Sequence, residues 1–361
     1  MAKGAKNYKE EMDIKNEKKL KERLERLPLF CGEFFRSLHD ITSSNTRCGY
    51  AYDLDIFFTY LCENEKEFKK IKQTDFTINN LAEVSADQLE KFMGYLTYYE
   101  KTEDGEMSVY QNKEKGKSRK LSAVRTMFSY FYKKRKIAAN PAGLIDFPKI
   151  HEKAITRLEV DEVAKFLDAV ESGDSLAGRQ QAFHEHTKAR DLAITTLLLG
   201  TGMRVSECVG IDINDINFDV NGVRIVRKGG DETVIYFGHE VREALIYYLK
   251  DRNKIISADG HEGALFLSLR GSRITVRSVQ NLVKKYSKQV TPLKNISPHK
   301  LRSTYGTNLY AETGDIYLVA DVLGHKDVNT TRKHYAQLQD SRRRQAAKYV
   351  VLRKEEDEYQ Q

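Results

Sequence analysis

The sequence predicts a mainly α-helical protein with a small antiparallel β-sheet, an α+β chain of 361 residues. Three observations carry that prediction. Residues 25–140 show apolar positions at helical spacing throughout and no convincing strand signal. Residues 216–237 hold three short β-rich runs separated by turn sequences, and helical patterning resumes from about 239. The length suits two or three domains, each able to bury its own core.

Residues 1–24 are almost all charged or polar, so a frayed or weakly helical extension is expected there. Helices are expected near 26–39, near 46–64, near 86–100 with Ser85 as N-cap, and near 117–136. The charged, glycine-containing stretch 101–116 reads as a loop. Only five prolines occur, and Pro141 and Pro148 lie close together, which predicts a linker over 141–155 and a first domain over 25–140. A second domain follows over 156–351, ahead of an acidic tail at 352–361. It opens with helices over 157–169 and 190–199, the latter so continuously apolar from Leu192 that it should be buried. Gly200-Thr201-Gly202 stops it. Strands are expected over 216–220, 223–228 and 233–237, joined at Asn221-Gly222 and Gly229-Gly230-Asp231 into a small meander. Breaks near Gly260, Pro292 and Gly314 divide the later helices, and no internal repeat is present.

A formal charge of +8 and a pI near 9.0 suggest a polyanionic partner. The distribution is more telling than the sum. From Lys113 to Lys136 there are ten basic residues, among them Arg119, Lys120, Arg125, Lys133 and Lys134, against the single acid Glu114. Leu121, Val124, Phe128, Phe131 and Tyr132 form an apolar stripe on the same segment, so one helix face is anchored while the other is cationic. The cysteines Cys31, Cys48, Cys62 and Cys208 lack the close pairing of a zinc site, and no apolar run is long enough to cross a bilayer. A reduced, cytoplasmic and nucleoid-associated protein is expected, with no metal, no cofactor and no membrane partner.

The chemistry-bearing residues gather in the last half of the chain. Arg204 follows the glycine break, Lys228 sits at a hairpin tip, His299 and Arg302 share one face of a helix opening at Pro298, and His325 follows Gly324. Tyr335 lies ten positions beyond His325. A phenol attacking phosphorus builds charge on the non-bridging oxygens, and forked guanidinium donors from Arg204 and Arg302 could neutralise it. Lys228 could protonate a leaving 5′ oxygen. Taken singly, each of these residues also suits an ordinary surface or structural role. The set suits chemistry on a phosphodiester.

In order, Leu199-Gly200-Thr201-Gly202-Met203-Arg204-Val205-Ser206-Glu207, Lys228-Gly229-Gly230, His299-Lys300-Leu301-Arg302, Leu323-Gly324-His325 and Tyr335 resemble the tyrosine recombinase/integrase family, in its two-domain Xer-like form. The stretch from Arg119 to Arg125, leading to Asn140-Pro141-Ala142, resembles the end of that family's SAM-like core-binding domain and its linker. The likeness covers about 25–350. It implies Tyr335 as nucleophile, Arg204 and Arg302 as phosphate clamp, and Lys228 as acid toward the leaving hydroxyl. His299 is then proton acceptor or transition-state donor, His325 a further phosphate donor, and Glu207 the orienting carboxylate. Tyr317 and Tyr349 fit the spacing poorly and better suit core or interface roles. Ser303-Thr304-Tyr305 after Arg302 departs from the family pattern. The first 24 residues do not resemble the arm-binding domain of larger integrases.

The same resemblance implies two domains closing as a C-shaped clamp on duplex DNA with an inverted-repeat crossover site. A homotetramer on DNA, a 3′-phosphotyrosine, a Holliday junction and accessory bending or directionality proteins come with it. Arg270, Arg273, Arg277, Lys284, Lys285, Lys288 and Lys294 are expected on phosphates, and base reading is expected from Asn45, Arg47, Arg119 and Arg125. The last segment, with Val350-Val351-Leu352 ahead of the acidic tail, is expected to dock on a neighbouring protomer. A type IB topoisomerase and a DNA-binding regulator without chemistry are the alternatives.

Overall fold

The computed structural model describes residues 8–103, 106–151, 156–174, 176–227 and 230–325. Its contacts divide the chain into two compact units between Lys153 and Ala154.

The first unit is built around α3 (Ser44–Asn64) and α6 (Glu114–Lys133), with α1 (Tyr8–Leu24), α2 (Cys31–Ser37), α4 (Ile78–Glu83) and α5 (Ala86–Tyr95) completing it. Aromatic side chains dominate its core. Phe57, Phe58, Phe92, Phe128 and Phe131 are fully buried, and edge-to-face pairs such as Phe57 with Phe92 at 5.1 Å join α3, α5 and α6. Leu121, Val124, Phe128 and Phe131 of the stripe expected on the basic helix form this seam, whereas Tyr132, expected with them, is exposed. Ser85 caps α5 as its sequence predicts, its side chain accepting from the Gln88 N–H while Gln88 returns the bond to Ser85.

Two expectations for this unit are overturned. The first concerns the N-terminal extension, of which residues 8–24 form the regular helix α1. It buries only Leu20 and is held mainly by polar bonds to α3: Ser44 donates to Asp13 at 2.5 Å, Asn16 donates to Ser44 at 3.0 Å, and Arg47 pairs with Glu17. The second concerns the expected loop over 101–116. A hairpin, β1 (Tyr98–Glu103) with β2 (Glu106–Gln111), occupies most of it, and α6 begins at its end. Tyr99 is buried between Tyr95 and Tyr110, stacked on both rings, which ties the hairpin to α5. The start of the expected linker is also packed: Ala142 and Ile145 lie in the first core.

In the second unit α8 (Arg179–Thr201) is central, buried over 193–198 and packed against α7 (Val160–Ser172), α10 (His239–Arg252) and α12 (Pro298–Thr313). The short helix α9 (Val205–Gly210) leads to a three-stranded antiparallel meander of β3 (Ile216–Asn217), β4 (Gly222–Val226) and β5 (Glu232–Tyr236), in the order expected. Asn221, at φ 49°, takes the left-handed conformation at the turn into β4. After α10 come α11 (Val276–Val290), α12 and the short α13 (Ile316–Leu323). No described helix is long and apolar enough to cross a membrane.

Candidate active site

Two left-handed glycines shape the site. Gly202, at φ 64°, ends α8, and a Cβ there would lie 2.4 Å from the Tyr305 ring and 2.9 Å from Leu323, so only glycine lets these elements approach. Met203 is buried just beyond, and Arg204 opens α9. The Arg204 N–H donates to Glu207 Oε2 at 2.7 Å, and its Nη1 donates to Glu207 Oε1 at 2.8 Å. Glu207 is buried, so the guanidinium is aimed by a fixed carboxylate. Its Nη2 donates to Gly324 O at 3.1 Å.

Arg302 approaches the same place from α12. Pro298 occupies the first helical turn, and Arg302 stands three residues after His299 on the same face. Arg302 is buried, donating from Nη1 to Gly202 O at 2.7 Å and from Nη2 to Leu323 O. Both arginines therefore end on the carbonyl terminus of α13. Gly324, at φ 62°, closes that helix, and the His325 N–H donates back to Ala320 O at 2.9 Å. Carbonyls at a helix C-terminus carry partial negative charge and favour cations. Two guanidinium groups against one carboxylate leave this locus net positive, the electrostatics an oxyanion needs.

Arg204, Glu207, Arg302 and the His325 backbone thus meet at one point, with the exposed His299 a turn away on α12. Lys228 and Tyr335, expected as acid and nucleophile, lie outside the described residues, as does Tyr349. Tyr317 is 72% exposed, which removes the core role expected of it. Tyr305 is half-buried against Gly202, and burial pushes its phenol above the ordinary range. Among the described residues no cluster of His, Cys, Asp or Glu could hold a metal ion.

The cations expected on DNA divide into two groups. Arg47 is buried on Glu17, His39 O and Thr42 O, and Lys120 is buried on Asn112 Oδ1 at 2.8 Å. Arg273 holds Val209 O at 3.1 Å, Ile211 O at 2.9 Å and Asp212, while Lys285 lies 3.5 Å from buried Asp191. Burial pushes both Lys120 and Lys285 below the ordinary lysine range. Arg47 and Lys120 are thus buried on partners within the fold, and Arg273 and Lys285 are part-buried on theirs. Arg125 is half-committed, reaching Ile145 O at 3.3 Å and Gly143 O at 3.4 Å. Arg119 pairs with buried Asp53 at 2.5 Å yet keeps a 49% exposed side chain. Lys133, Lys134, Arg277 and Lys284 are exposed, as is Asn45. Sequence reasoning passes over Arg227, whose guanidinium also reaches the α13 carbonyls.

Comparison with known proteins agrees with this geometry. The phage integrase family model matches residues 156–342. Tyrosine recombinase XerC of Caldanaerobacter subterraneus subsp. tengcongensis is 33% identical over 322 residues, spanning 87% of this chain and 83% of that relative. Tyrosine recombinase XerC of Thermodesulfovibrio yellowstonii is 34% identical over 228 residues, spanning 60% and 71%. In fold, the chain is similar to the XerH site-specific recombinase in a post-cleavage complex with its palindromic difH substrate, with a TM-score of 0.64 at 21% identity over 85% of this chain and 80% of that one. It is also similar to the Tn1549 transposon integrase (aa 82–397) in complex with circular intermediate DNA, with a TM-score of 0.60 at 18% identity over 87% and 97%. A family model spanning more than half the chain and a relative matched over most of its length give one answer: this chain belongs to the phage integrase family, as a tyrosine-type site-specific recombinase.

Proposed function

We propose that this recombinase cleaves duplex DNA at an inverted-repeat crossover site with Tyr335, and that Arg204 and Arg302 clamp the scissile phosphate. The phenolic oxygen attacks phosphorus, the bond to the 5′ oxygen breaks, and Lys228 supplies that oxygen's proton. His299 takes the phenol's proton, His325 adds a phosphate contact, and Glu207 orients Arg204. The products are a 3′-phosphotyrosine and a free 5′ hydroxyl. Attack by the partner duplex's hydroxyl restores the phosphodiester and regenerates the phenol. The covalent link conserves the bond energy, so rejoining draws on no external energy source.

The observation that carries this reading is the meeting of Arg204 and Arg302 on the Leu323–Gly324 turn. A regulator without chemistry has no need to aim two guanidinium groups from separate segments at one point. Both segments, 25–140 and 156–351, contact the duplex. Four protomers assemble on two sites and exchange strands through a Holliday junction. The terminal segment 345–361 docks on a neighbour within that assembly, and accessory proteins set direction. A suicide half-site carrying the crossover sequence, offered with a second duplex, tests the reading. A covalent complex followed by crossed-over product supports it. Chiefly relaxation of supercoiled DNA would point to a topoisomerase, and no covalent complex to a DNA-binding regulator.

A further inference from the structure

Arg227 stands at the end of β4, and its backbone is pinned in the return to β5. Its N–H donates to Asp231 O at 2.8 Å, and its carbonyl accepts from the Gly230 N–H at 3.0 Å. The side chain leaves the sheet for α13, where Nη1 donates to Asp321 O at 3.3 Å and Nη2 to Val322 O at 3.1 Å. The next two carbonyls, Leu323 O and Gly324 O, are those taken by Arg302 and Arg204. Consecutive carbonyls at one helix end are therefore answered by three guanidinium groups, from the sheet, from α12 and from the start of α9.

Two details separate this contact from a routine helix cap. A Cβ at Gly324 would lie 1.9 Å from Arg227 Nη1, so the glycine that ends α13 also makes room for this guanidinium. The Nε of Arg227 is buried without an acceptor among the described residues, a desolvation cost that capping by an exposed cation would not incur. The arrangement is matched to this one helix end.

We infer that Arg227 is a positioning residue for strand cleavage, holding the α13 carbonyl terminus in the place from which Arg204 and Arg302 are aimed. The inference rests on the reading of those two arginines as the phosphate clamp. If α13 shifts, Leu323 O and Gly324 O shift with it. The acceptors that fix both guanidinium groups are then misplaced, and so is His325.

The test measures single-turnover covalent complex formation by the full chain on a crossover duplex carrying either a phosphate or a methylphosphonate at the scissile position. Methyl in place of a non-bridging oxygen removes the charge the clamp neutralises, so a misaligned clamp matters less on that substrate. Arg227→Ala should slow cleavage of the phosphate roughly 10- to 100-fold with DNA affinity within about threefold of the parent. On the methylphosphonate its deficit should shrink to about threefold or less, and Arg227→Lys should lie between Arg227→Ala and the parent on both substrates. Parental rates for Arg227→Ala on the phosphate, or an equal deficit on both substrates, would overturn the proposal. Should Arg227→Ala not fold, Arg227→Lys carries the same two-substrate comparison. Arg302→Lys run alongside guards the underlying reading. If it too cleaves like the parent, the clamp is wrong and the role of Arg227 goes with it; a slow Arg302→Lys beside an unaffected Arg227→Ala removes the role of Arg227 alone.

Discussion

Replacing Arg119 by methionine should destabilise the first unit by an amount that grows with pH. The Asp53 carboxylate is wholly buried, with Arg119 Nη1 2.5 Å from Oδ2 and no partner for Oδ1 among the described residues. Burial pushes the Asp53 pKa up to about 6, against the opposing pull of Arg119 and Lys120. A folded-state pKa above the unfolded value means that the stability Asp53 contributes is full below about 4 and is lost as pH rises through about 6. In the parent at pH 7 the charged form is therefore favoured, by roughly 1 kcal/mol. Without Arg119 the carboxyl takes up a proton instead. The cost is then capped at roughly 1 kcal/mol at pH 7, rises to roughly 3 kcal/mol at pH 8 and is close to nothing at pH 5. Methionine keeps the apolar stem, so packing loss is small. Hydrogen exchange of α3 and α6 peptides in the full chain, parent against variant, at pH 5, 6, 7 and 8 reads this difference directly. A destabilisation that stays constant over that range would refute the reasoning, because it would mean the carboxylate is not what Arg119 holds.

Other perturbations follow from the same geometry. Arg302→Ala should lower the single-turnover cleavage rate by roughly 100- to 1,000-fold, as loss of an oxyanion donor does, with DNA binding in a gel-shift assay little changed. Gly202→Ala places a methyl 2.4 Å from the Tyr305 ring at φ 64°. It should cost roughly 1–3 kcal/mol in urea unfolding and slow cleavage as Arg204 is displaced. Lys133→Gln with Lys134→Gln should flatten the dependence of log affinity on log salt by roughly one unit for each phosphate that is no longer neutralised. Arg47→Gln should leave that slope alone and instead lower thermal stability, by roughly 1–3 kcal/mol for the acceptors left unpaired around a buried side chain.

Much of the fold can be read from the chain because its signals are local. Ser85 with Gln88, the apolar run of α8 ended by Gly202, and the Asn221-Gly222 turn each act through neighbours a few residues away. What periodicity does not reveal is structure held by polar bonds across the sequence. α1 looks like a charged tail because its anchors are Asp13, Asn16 and Glu17 on Ser44 and Arg47, and only Leu20 is buried. The hairpin β1–β2 is missed because the charged residues of Tyr98–Glu103 leave no clear alternation.

The site divides the same way. Arg204 and Arg302 are marked by the motifs around them, and the fold brings them together. Lys120, Arg273 and Lys285 show that a basic residue in a basic run need not stand free in solvent. Each is drawn inward by a carboxylate, amide or carbonyl that only the tertiary structure supplies. Arg227 is hidden for the converse reason: its partners, Asp321 O and Val322 O, are backbone atoms and leave no trace in side-chain identity.

The most direct measurement is the chemical identity of the protein–DNA link. The full chain is trapped on a nicked crossover duplex, digested with protease and nuclease, and the adduct located by tandem mass spectrometry. A nucleotide joined through its 3′-phosphate to Tyr335, and no adduct in Tyr335→Phe, is the predicted result. An adduct on Tyr305 or Tyr317, a 5′-phosphate linkage, or persistence of the link in Tyr335→Phe would contradict the account.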